Sequence, residues 1–240
     1  MATKMKIEIW SDVVCPFCYI GKRNFEAALY NCNNLSEIDI EWKSYQLDPN
    51  ASNSSELRSY PEHLAAKYGW SIEKAKESIA SVTAMAEMSG LEFRLGNAKP
   101  FNTTDTHKVI QYAKSKGLGD QVEEAFFKAY FTDEKDLTKK EILLEIIQNI
   151  GLTDVSIETV LNDSQYAAAL NSDLMQAQQL GIRGVPFFVF NRKYALSGAQ
   201  TSEVFTEVLN TSFAEWKTDM PVNISPNSDG QSCDINGNCD

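Results

Sequence analysis

The chain has 240 residues, of which 43% are hydrophobic, enough for a sizeable core in one large domain or two small ones. A formal net charge of -11 argues against nucleic-acid binding, because phosphate contacts depend on clustered Lys and Arg. No segment approaches the roughly 18 apolar residues of a membrane-spanning helix. Residues 1–10 lack the apolar core of a secretory signal, so we expect a cytoplasmic protein without nucleic-acid or membrane partners.

The first predicted unit is a strand followed by two cysteines and a helix. Residues Lys6–Trp10 alternate polar and apolar side chains, and a helical pattern begins near Cys15. Pro16 fits the first turn, where its missing N–H would have no partner anyway. Unpaired N–H groups and the helix dipole favour the reactive thiolate at this position. Because Cys18 follows one turn later and can resolve a mixed disulfide, the pattern predicts a thiol–disulfide oxidoreductase.

A second strand pattern runs from Ile38 to near Leu47 and completes a βαβ unit, whose strands should be parallel with a right-handed crossover. The two cysteines then lie at the carboxyl end of the first strand, where open α/β sheets place their sites. This unit is expected to occupy residues 1–52, and the loop that follows is rich in Asn and Ser.

Residues 53–180 are predicted to form an all-helical insertion. Ser71 begins one amphipathic helix that Gly90 ends. Two capping boxes are predicted, and a further helix is closed by Gly181. The boxes pair Asp120 with Glu123 and Thr138 with Glu141, and the further helix spans Tyr166–Leu180.

Strand patterns return in residues 181–217, which should complete the α/β domain. Ile182–Phe190 and Tyr194–Ser197 predict a hairpin, and Thr201–Trp216 predicts a closing amphipathic helix. Residues 218–240 are polar with almost no apolar side chains after Pro221, so we expect a mobile tail over Val222–Asp240.

Two motifs carry a resemblance to a known family: Cys15-Pro16-Phe17-Cys18 after a strand, and Gly184-Val185-Pro186-Phe187 opening a later strand. The chain resembles the thioredoxin superfamily, and within it the DsbA-like oxidoreductases that carry a helical insertion. It is similar to the FrnE-type branch in five segments. These are Trp10-Ser11-Asp12, Tyr19-Ile20-Gly21, Asn102-Thr103 followed by His107, Gly184-Val185-Pro186-Phe187-Phe188 and Ser197-Gly198-Ala199-Gln200.

The resemblance implies a thioredoxin-like α/β fold with a large all-helical insertion between the second strand and the cis-proline strand. It makes Cys15 the attacking thiol, Cys18 the resolving thiol and Pro186 a cis proline beside them. A cis X–Pro bond costs only about 0.5–1 kcal/mol, and the Val185 backbone can pair with an extended substrate. A trans proline starting an edge strand is the alternative.

Residues around the motif are candidate substrate-binding positions. Pro16 and Phe17 lie inside the dithiol turn, and strongly oxidising DsbA proteins carry His where this chain has Phe17. Since Phe donates no hydrogen bond, we predict a less oxidising couple. We expect Asp12 to cap the helix, with tuning or proton relay at the thiol as the alternative.

The resemblance also assigns Asn102 and His107 to the cleft over the cysteines, although a histidine at such a position can equally be part of the core or of a cap. Pro100, Phe101 and Phe17 could supply an apolar rim for unfolded-protein substrates.

The remaining cysteines are predicted to be accessory. Cys32 is interpreted as an ordinary thiol at the end of the first helix. Cys233 and Cys239 flank Asn and Gly residues that would let the loop close a disulfide. Some members of the resembled branch have a terminal pair that exchanges with the main site, and a metal-binding or merely oxidised tail is the alternative.

We predict no metal site. The CxxC spacing also serves zinc, but a structural zinc needs two further ligands, and the two histidines, His63 and His107, lie in helical contexts. The tail pair could complete a four-sulfur site, which leaves a non-catalytic metal- or partner-binding module as a minor interpretation.

The sequence thus predicts a cytosolic protein thiol–disulfide oxidoreductase or isomerase that needs no bound cofactor beyond its own redox-active disulfide. Disulfide-containing proteins are its expected substrates and a cytosolic reductant its expected partner, with glutathione a candidate co-substrate. The alternative is a glutathione-dependent isomerase or transferase of the kappa or hydroxychromene-carboxylate type. Retention of both thiols argues against that alternative, because those enzymes usually carry Ser at one or both positions.

Overall fold

A four-stranded sheet with strand order β2-β1-β3-β4 forms the frame of the site. A computed structural model describes residues 4–32, 34–51 and 59–219. The strands are β1 (Met5–Ser11), β2 (Ile38–Ser44), β3 (Phe187–Phe190) and β4 (Tyr194–Ser197). Helix α1 (Pro16–Tyr30) connects β1 to β2, which are parallel as predicted, and β3 is antiparallel to both β1 and β4.

Seven helices lie between β2 and β3 in the described part of the chain, where an all-helical insertion is predicted. They are α2 (Tyr60–Tyr68), α3 (Ile72–Met88), α4 (Thr104–Ser115), α5 (Gly119–Phe131), α6 (Lys140–Asn149), α7 (Ile157–Asn162) and α8 (Ser164–Gln179). Short 3-10 helices span Leu35–Glu37 and Leu95–Asn97, and α9 (Ser202–Asp219) closes the α/β part. Within the described ranges, no helix is both long enough and apolar enough to cross a lipid bilayer.

The side chains of β1 alternate between the two faces of the sheet. Ile7 and Ile9 pack with Phe25 of α1 and Phe205 of α9 in one buried cluster. Trp10 points to the other face, where its indole N–H donates to the backbone oxygen of Asp173 on α8, at 3.0 Å. β1 lies between β2 and β3 and is covered on both faces, so the residues that follow it are held from two sides.

Helix α1 joins the sheet to the helical insertion through Tyr19. Its ring stacks on Phe127 of α5 at 5.0 Å between centroids, and Phe93 and Phe131 continue the stack. The Tyr19 hydroxyl donates to Glu124 at 2.7 Å. Aromatic pairs of this kind add stability beyond their buried area, so the start of α1 is anchored in the core of the insertion.

Several predicted helix boundaries are confirmed. Ser71 caps α3 by accepting from the Lys74 N–H at 3.2 Å, and the left-handed Gly90 follows the end of this helix. Gly181 likewise follows α8 in the left-handed region. The domain boundaries proposed from composition stay predictions.

Other local expectations were wrong because tertiary packing overrode the pattern. Helix α5 begins at Gly119 without a side-chain cap, and Glu123 is fully buried instead of closing a capping box. Helix α6 begins at Lys140, and the Thr138 hydroxyl donates to Asp136 at 2.6 Å. The β3 strand starts at Phe187 rather than Ile182, since the intervening residues lead into the proline turn.

Candidate active site

The two cysteines sit at the start of α1, as the sequence predicts. Cys15 occupies the N-cap position, and Pro16 is the first helical residue. The Cys15 N–H donates to the backbone oxygen of Asp12 at 2.9 Å, and the Cys18 N–H donates to that of Cys15 at 3.0 Å. Both thiols are free. The turn therefore holds Cys15 at the N-terminal end of α1, with Cys18 one turn behind it.

A cis peptide bond between Val185 and Pro186 faces the first thiol, which confirms the predicted isomer. The Cys15 Sγ lies 3.4 Å from the Val185 carbonyl oxygen. On the other side, the Pro186 carbonyl accepts from the Gly198 N–H at 2.8 Å. A Cβ on Gly21 would come within 3.1 Å of Pro186 Cγ, so the absence of a side chain at Gly21 lets α1 pack closely against the proline.

Cys18 is completely buried behind Cys15. Burial, followed by the hydrogen bond and charge of Cys15, raises the pKa of the Cys18 thiol well above its ordinary value. The Asp12 backbone and the Ser11 side chain act in the opposite direction. The pair is therefore asymmetric, with one thiol at the surface of a cavity and one kept protonated in the interior.

Asp12 does not cap α1, and that expectation was wrong. Its Oδ2 accepts from the Leu47 N–H at 2.8 Å, and its Oδ1 lies 3.2 Å from Nε2 of His107. Asp12 and His107 are both buried, and no side chain caps the helix. The carboxylate instead ties the cysteine turn to the loop after β2 and to α4.

His107 and Asn102 brace the site from the insertion. The fully buried His107 ring lies among core side chains rather than over an open cleft. Asn102 donates to the Pro49 carbonyl at 2.8 Å and accepts from the Thr104 N–H at 3.0 Å. It thereby fixes the start of α4 against the loop after β2, and a direct substrate role for either residue stays a prediction.

A cavity of about 330 Å³ opens beside Cys15, between the cysteine turn and the α2–α3 pair. Pro16, Phe17 and Val185 line it, as do Pro100 and Phe101 of the predicted apolar rim. Phe17 is 38% exposed, so this apolar wall of the cavity remains partly open to solvent.

Sequence reasoning missed the far wall of this cavity. It comes from α2, the turn after it and α3: Tyr60, Leu64, Lys67, Tyr68, Trp70 and Val82. The pattern of α2 predicts a helix, but no local signal says that its apolar face lies opposite a thiol more than forty residues earlier in the chain.

The remaining predicted site residues lie elsewhere. Cys233 and Cys239 fall outside the described residues. Cys32 is half-buried and packs against the cluster around β1, away from the dithiol. In the part of the chain that the structure describes, no group of three or more His, Cys, Asp or Glu side chains is placed to hold a metal ion.

Residues 6–210 match the family model of the DSBA-like thioredoxin domain. Since the match covers most of the chain, the protein belongs to this family, and the thioredoxin-like α/β fold with a helical insertion is confirmed. The FrnE-type branch stays a prediction.

Three known proteins are similar to the chain over most of its length. The probable DsbA oxidoreductase SCO1869 of Streptomyces coelicolor is 34% identical, with 98% of each chain covered and a TM-score of 0.84. The uncharacterised YwbO of Bacillus subtilis (strain 168) is 26% identical over 206 residues, which is 85% of this chain and 95% of YwbO. The cytosolic disulfide reductase DsbM of Pseudomonas aeruginosa shares the fold at 14% identity, with 88% and 99% covered and a TM-score of 0.60.

Proposed function

We propose that the protein is a thiol–disulfide oxidoreductase that acts on disulfide-containing protein substrates. The observation that carries the proposal is the Cys15 thiol at the N-cap of α1, 3.4 Å from the carbonyl before a cis proline, with the buried Cys18 thiol one turn behind. Such an arrangement offers an attacking thiol, a resolving thiol and an unobstructed backbone edge in one place.

The reduction of a substrate disulfide takes two steps. The Cys15 thiolate attacks one substrate sulfur, a mixed disulfide forms, and the other substrate sulfur leaves as a thiolate. Cys18 then loses its proton and attacks the Cys15 sulfur, which releases the second substrate thiolate and leaves a Cys15–Cys18 disulfide. Two electrons pass to the substrate. A cytosolic dithiol, or two glutathione molecules, then supplies two electrons that reduce the Cys15–Cys18 disulfide and is itself oxidised to a disulfide.

The raised pKa of Cys18 assigns different tasks to the two thiols. A resolving thiol that stays protonated attacks slowly, so the mixed disulfide persists until the proton leaves. A persistent mixed disulfide gives a substrate time to exchange with its own thiols, which supports isomerase activity in addition to reduction. DsbM, a cytosolic reductase with the same fold, supports a cytoplasmic location for a protein of this kind.

Cys233 and Cys239 are proposed to exchange electrons with the main pair. The rate at which the Cys15–Cys18 disulfide is reduced, measured with and without residues 220–240, tests this. A tail that relays electrons makes reduction of the main pair faster in the full chain, and equal rates in both proteins would remove the tail from the mechanism.

Insulin reduction and refolding of scrambled ribonuclease test the main proposal. Cys15→Ser should reduce both activities to the uncatalysed rate, because the thiol that attacks the substrate is lost and the remaining Cys18 thiol is completely buried. Cys18→Ser should trap a mixed disulfide with the substrate, visible as an added mass. Cys32→Ser is the matched control and should behave as wild type, since this thiol packs away from the site.

Wild-type activity in Cys15→Ser would end the proposal. Tight glutathione binding without turnover of dithiol substrates would replace it by the glutathione-dependent isomerase or transferase.

A further inference from the structure

Attack on a disulfide leaves a negative charge on the substrate sulfur that departs. The attacking, central and departing sulfurs lie close to one line during the exchange, which puts the departing sulfur about 4 Å from Cys15, two S–S bond lengths. Cys15 forms part of the cavity wall, so we expect this sulfur inside the cavity. A thiol leaves faster when its thiolate is stabilised. A hydrogen-bond donor at this point would therefore speed the first step of the reaction.

The polar atom that contacts the Cys15 sulfur cannot supply this hydrogen bond. It is the Val185 carbonyl oxygen, at 3.4 Å, which carries partial negative charge and only accepts. Val14, Phe17 and Val82 line the cavity with apolar surface. A thiolate that departs into such surroundings loses hydration, so a donor among the lining residues has a large influence on the rate.

Tyr60, the first residue of α2, lines this cavity together with Cys15. It is only 8% exposed and belongs to the buried cluster of the insertion. None of the described residues forms a hydrogen bond with the Tyr60 hydroxyl. Because a buried tyrosine usually bonds a partner through its hydroxyl, an unpartnered one beside a reactive thiol points to a partner that the substrate brings.

The Tyr60 hydroxyl keeps its proton and is close enough to Cys15 for their charges to interact. Burial, followed by the charges of Cys15 and Tyr68, raises the pKa of Tyr60. The phenol therefore stays neutral at physiological pH and acts as a donor. Its backbone is fixed as well, because Ser59 and Glu62 form a capping box at the start of α2, with 2.8 Å between the Ser59 N–H and the Glu62 carboxylate.

Lys67 is a rival donor on the same wall. Its side chain is exposed, and its Nζ lies 5.9 Å from the centre of the Tyr68 ring. Water screens a charge at such a position, and a solvated ammonium must lose hydration before it bonds a sulfur. The Tyr60 hydroxyl is already held in the wall and carries no charge, so bonding the departing sulfur costs it less.

We propose that Tyr60 is a catalytic residue whose hydroxyl donates a hydrogen bond to the departing substrate sulfur. The inference rests on the proposed function and adds a residue to its first step. The bond from Cys15 to the central sulfur forms as the substrate S–S bond breaks, and both electrons of the broken bond stay on the departing sulfur. The proton remains on the Tyr60 oxygen, whose pKa is above that of a thiol, and water protonates the thiolate after release.

Two uncharged disulfides with unequal leaving groups test the inference in the Cys18→Ser background, where the attack of Cys15 is the only step. Dipyridyl disulfide releases a weakly basic aromatic thiolate that needs no donor, and bis(2-hydroxyethyl) disulfide releases a strongly basic alkyl thiolate. Mass spectrometry of the peptide that contains Cys15 gives the rate constant of adduct formation. Tyr60→Phe should lower this rate constant about 10-fold for the alkyl disulfide, the size of one hydrogen bond to a charged group, and leave that for dipyridyl disulfide nearly unchanged.

Tyr30→Phe is the matched control. Tyr30 is the last residue of α1, is 91% exposed and does not line the cavity. Removal of its hydroxyl should leave both rate constants at the values of the background protein. A purely structural effect of Tyr60→Phe would slow both disulfides alike, because a displaced Cys15 reacts poorly whichever sulfur departs. The ratio of the two rate constants therefore separates a hydrogen bond to the departing sulfur from a loss of structure.

Three results would overturn the inference. An unchanged rate constant for the alkyl disulfide in Tyr60→Phe shows that the hydroxyl does not act. Equal slowing of both disulfides shows that the departing sulfur is not its partner, and a shift of Cys15 alkylation by iodoacetamide to higher pH would then assign the hydroxyl to the Cys15 thiolate. A loss confined to the alkyl disulfide in Lys67→Ala, with none in Tyr60→Phe, assigns the stabilisation to Lys67.

The background protein itself distinguishes failure of the inference from failure of the proposed function. If Cys15 reacts with both disulfides no faster than free cysteine does, the proposed function falls and the inference falls with it. Faster adduct formation at Cys15, with a ratio of rate constants that Tyr60→Phe does not change, removes the inference alone.

Discussion

Two buried carboxyl groups behind the dithiol, Asp12 at the end of β1 and Glu123 on α5, have opposite surroundings. Both are about 1% exposed. Asp12 accepts a hydrogen bond from the Leu47 N–H and lies 3.2 Å from His107 Nε2. No described residue donates a hydrogen bond to either oxygen of Glu123. Burial alone therefore does not assign a role to an acid, because its hydrogen-bond partners decide whether it supports the fold or opposes it.

The protonation of Glu123 follows from its surroundings. Burial raises the pKa of Glu123 to about 7, against the opposing influence of His107, Lys114 and Lys22, while the charge of Asp12 raises it further. Glu124, the next residue of the same helix, accepts hydrogen bonds from Tyr19 and Arg23 and forms an ion pair with Lys22. Burial would raise its pKa too, but the charge of Lys22, the Tyr19 hydrogen bond and Arg23 outweigh burial and lower it.

The largest expected effect is that of Asp12→Ala. The substitution leaves the Leu47 N–H and the buried His107 ring without their acceptor, so we expect a loss of about 4 kcal/mol in the free energy of unfolding. Guanidinium denaturation at pH 7 measures it. Asp12→Asn keeps one acceptor oxygen and should lose less. A loss below about 1 kcal/mol in Asp12→Ala would mean that the partnered carboxylate does not support the fold.

The second effect is the pH dependence that Glu123 imposes. Its pKa is higher in the folded protein than in the unfolded chain, so the unfolded state releases its proton first and stability falls as pH rises from about 4.5 to about 7. The fall amounts to about 3 kcal/mol. Glu123→Gln removes it, so the variant should gain about 3 kcal/mol on wild type as pH rises from about 4.5 to about 8.

Glu124→Gln is the matched control on the same helix. Its lowered pKa contributes stability above the unfolded-state pKa that is lost as pH falls, which is the opposite sign. The substitution should therefore destabilise the protein at pH 8. Urea denaturation of the three proteins from pH 3.5 to pH 8 covers both pH ranges and separates these signs. Parallel pH profiles of wild type and Glu123→Gln would refute the assignment to Glu123.

The smallest effect concerns Thr106, whose buried hydroxyl has no hydrogen-bond partner among the described residues. Thr106→Val replaces the hydroxyl with a methyl group of similar size, so we expect a gain of about 0.5–1 kcal/mol. A thermal unfolding scan detects it as a higher Tm. The partnered counterpart is Thr138→Val, which removes the hydrogen bond to Asp136 and should lower the Tm instead. A lower Tm for Thr106→Val would show that this hydroxyl has a partner after all.

Many of the strands and helices were predictable, because the sequence patterns that specify them lie within the elements themselves. The alternation around Ile7 and Ile9 predicts β1, and Ser71 with Gly90 predicts the limits of α3. The same reasoning failed at Asp120 and Thr138, where a polar residue followed by Glu resembles a capping box. Helices α5 and α6 start where packing of their apolar faces places them, and this outweighs one cap hydrogen bond.

The sequence by itself determined the dithiol at a helix start, the βαβ unit that carries it and the insertion between β2 and β3, because each depends on neighbours along the chain. Only the tertiary structure decided that Asp12 bonds Leu47 and meets His107 instead of capping α1. It also decided that the α2–α3 pair faces Cys15 across an apolar cavity. Contacts between residues so far apart in sequence depend on how whole elements pack, and no local pattern encodes that.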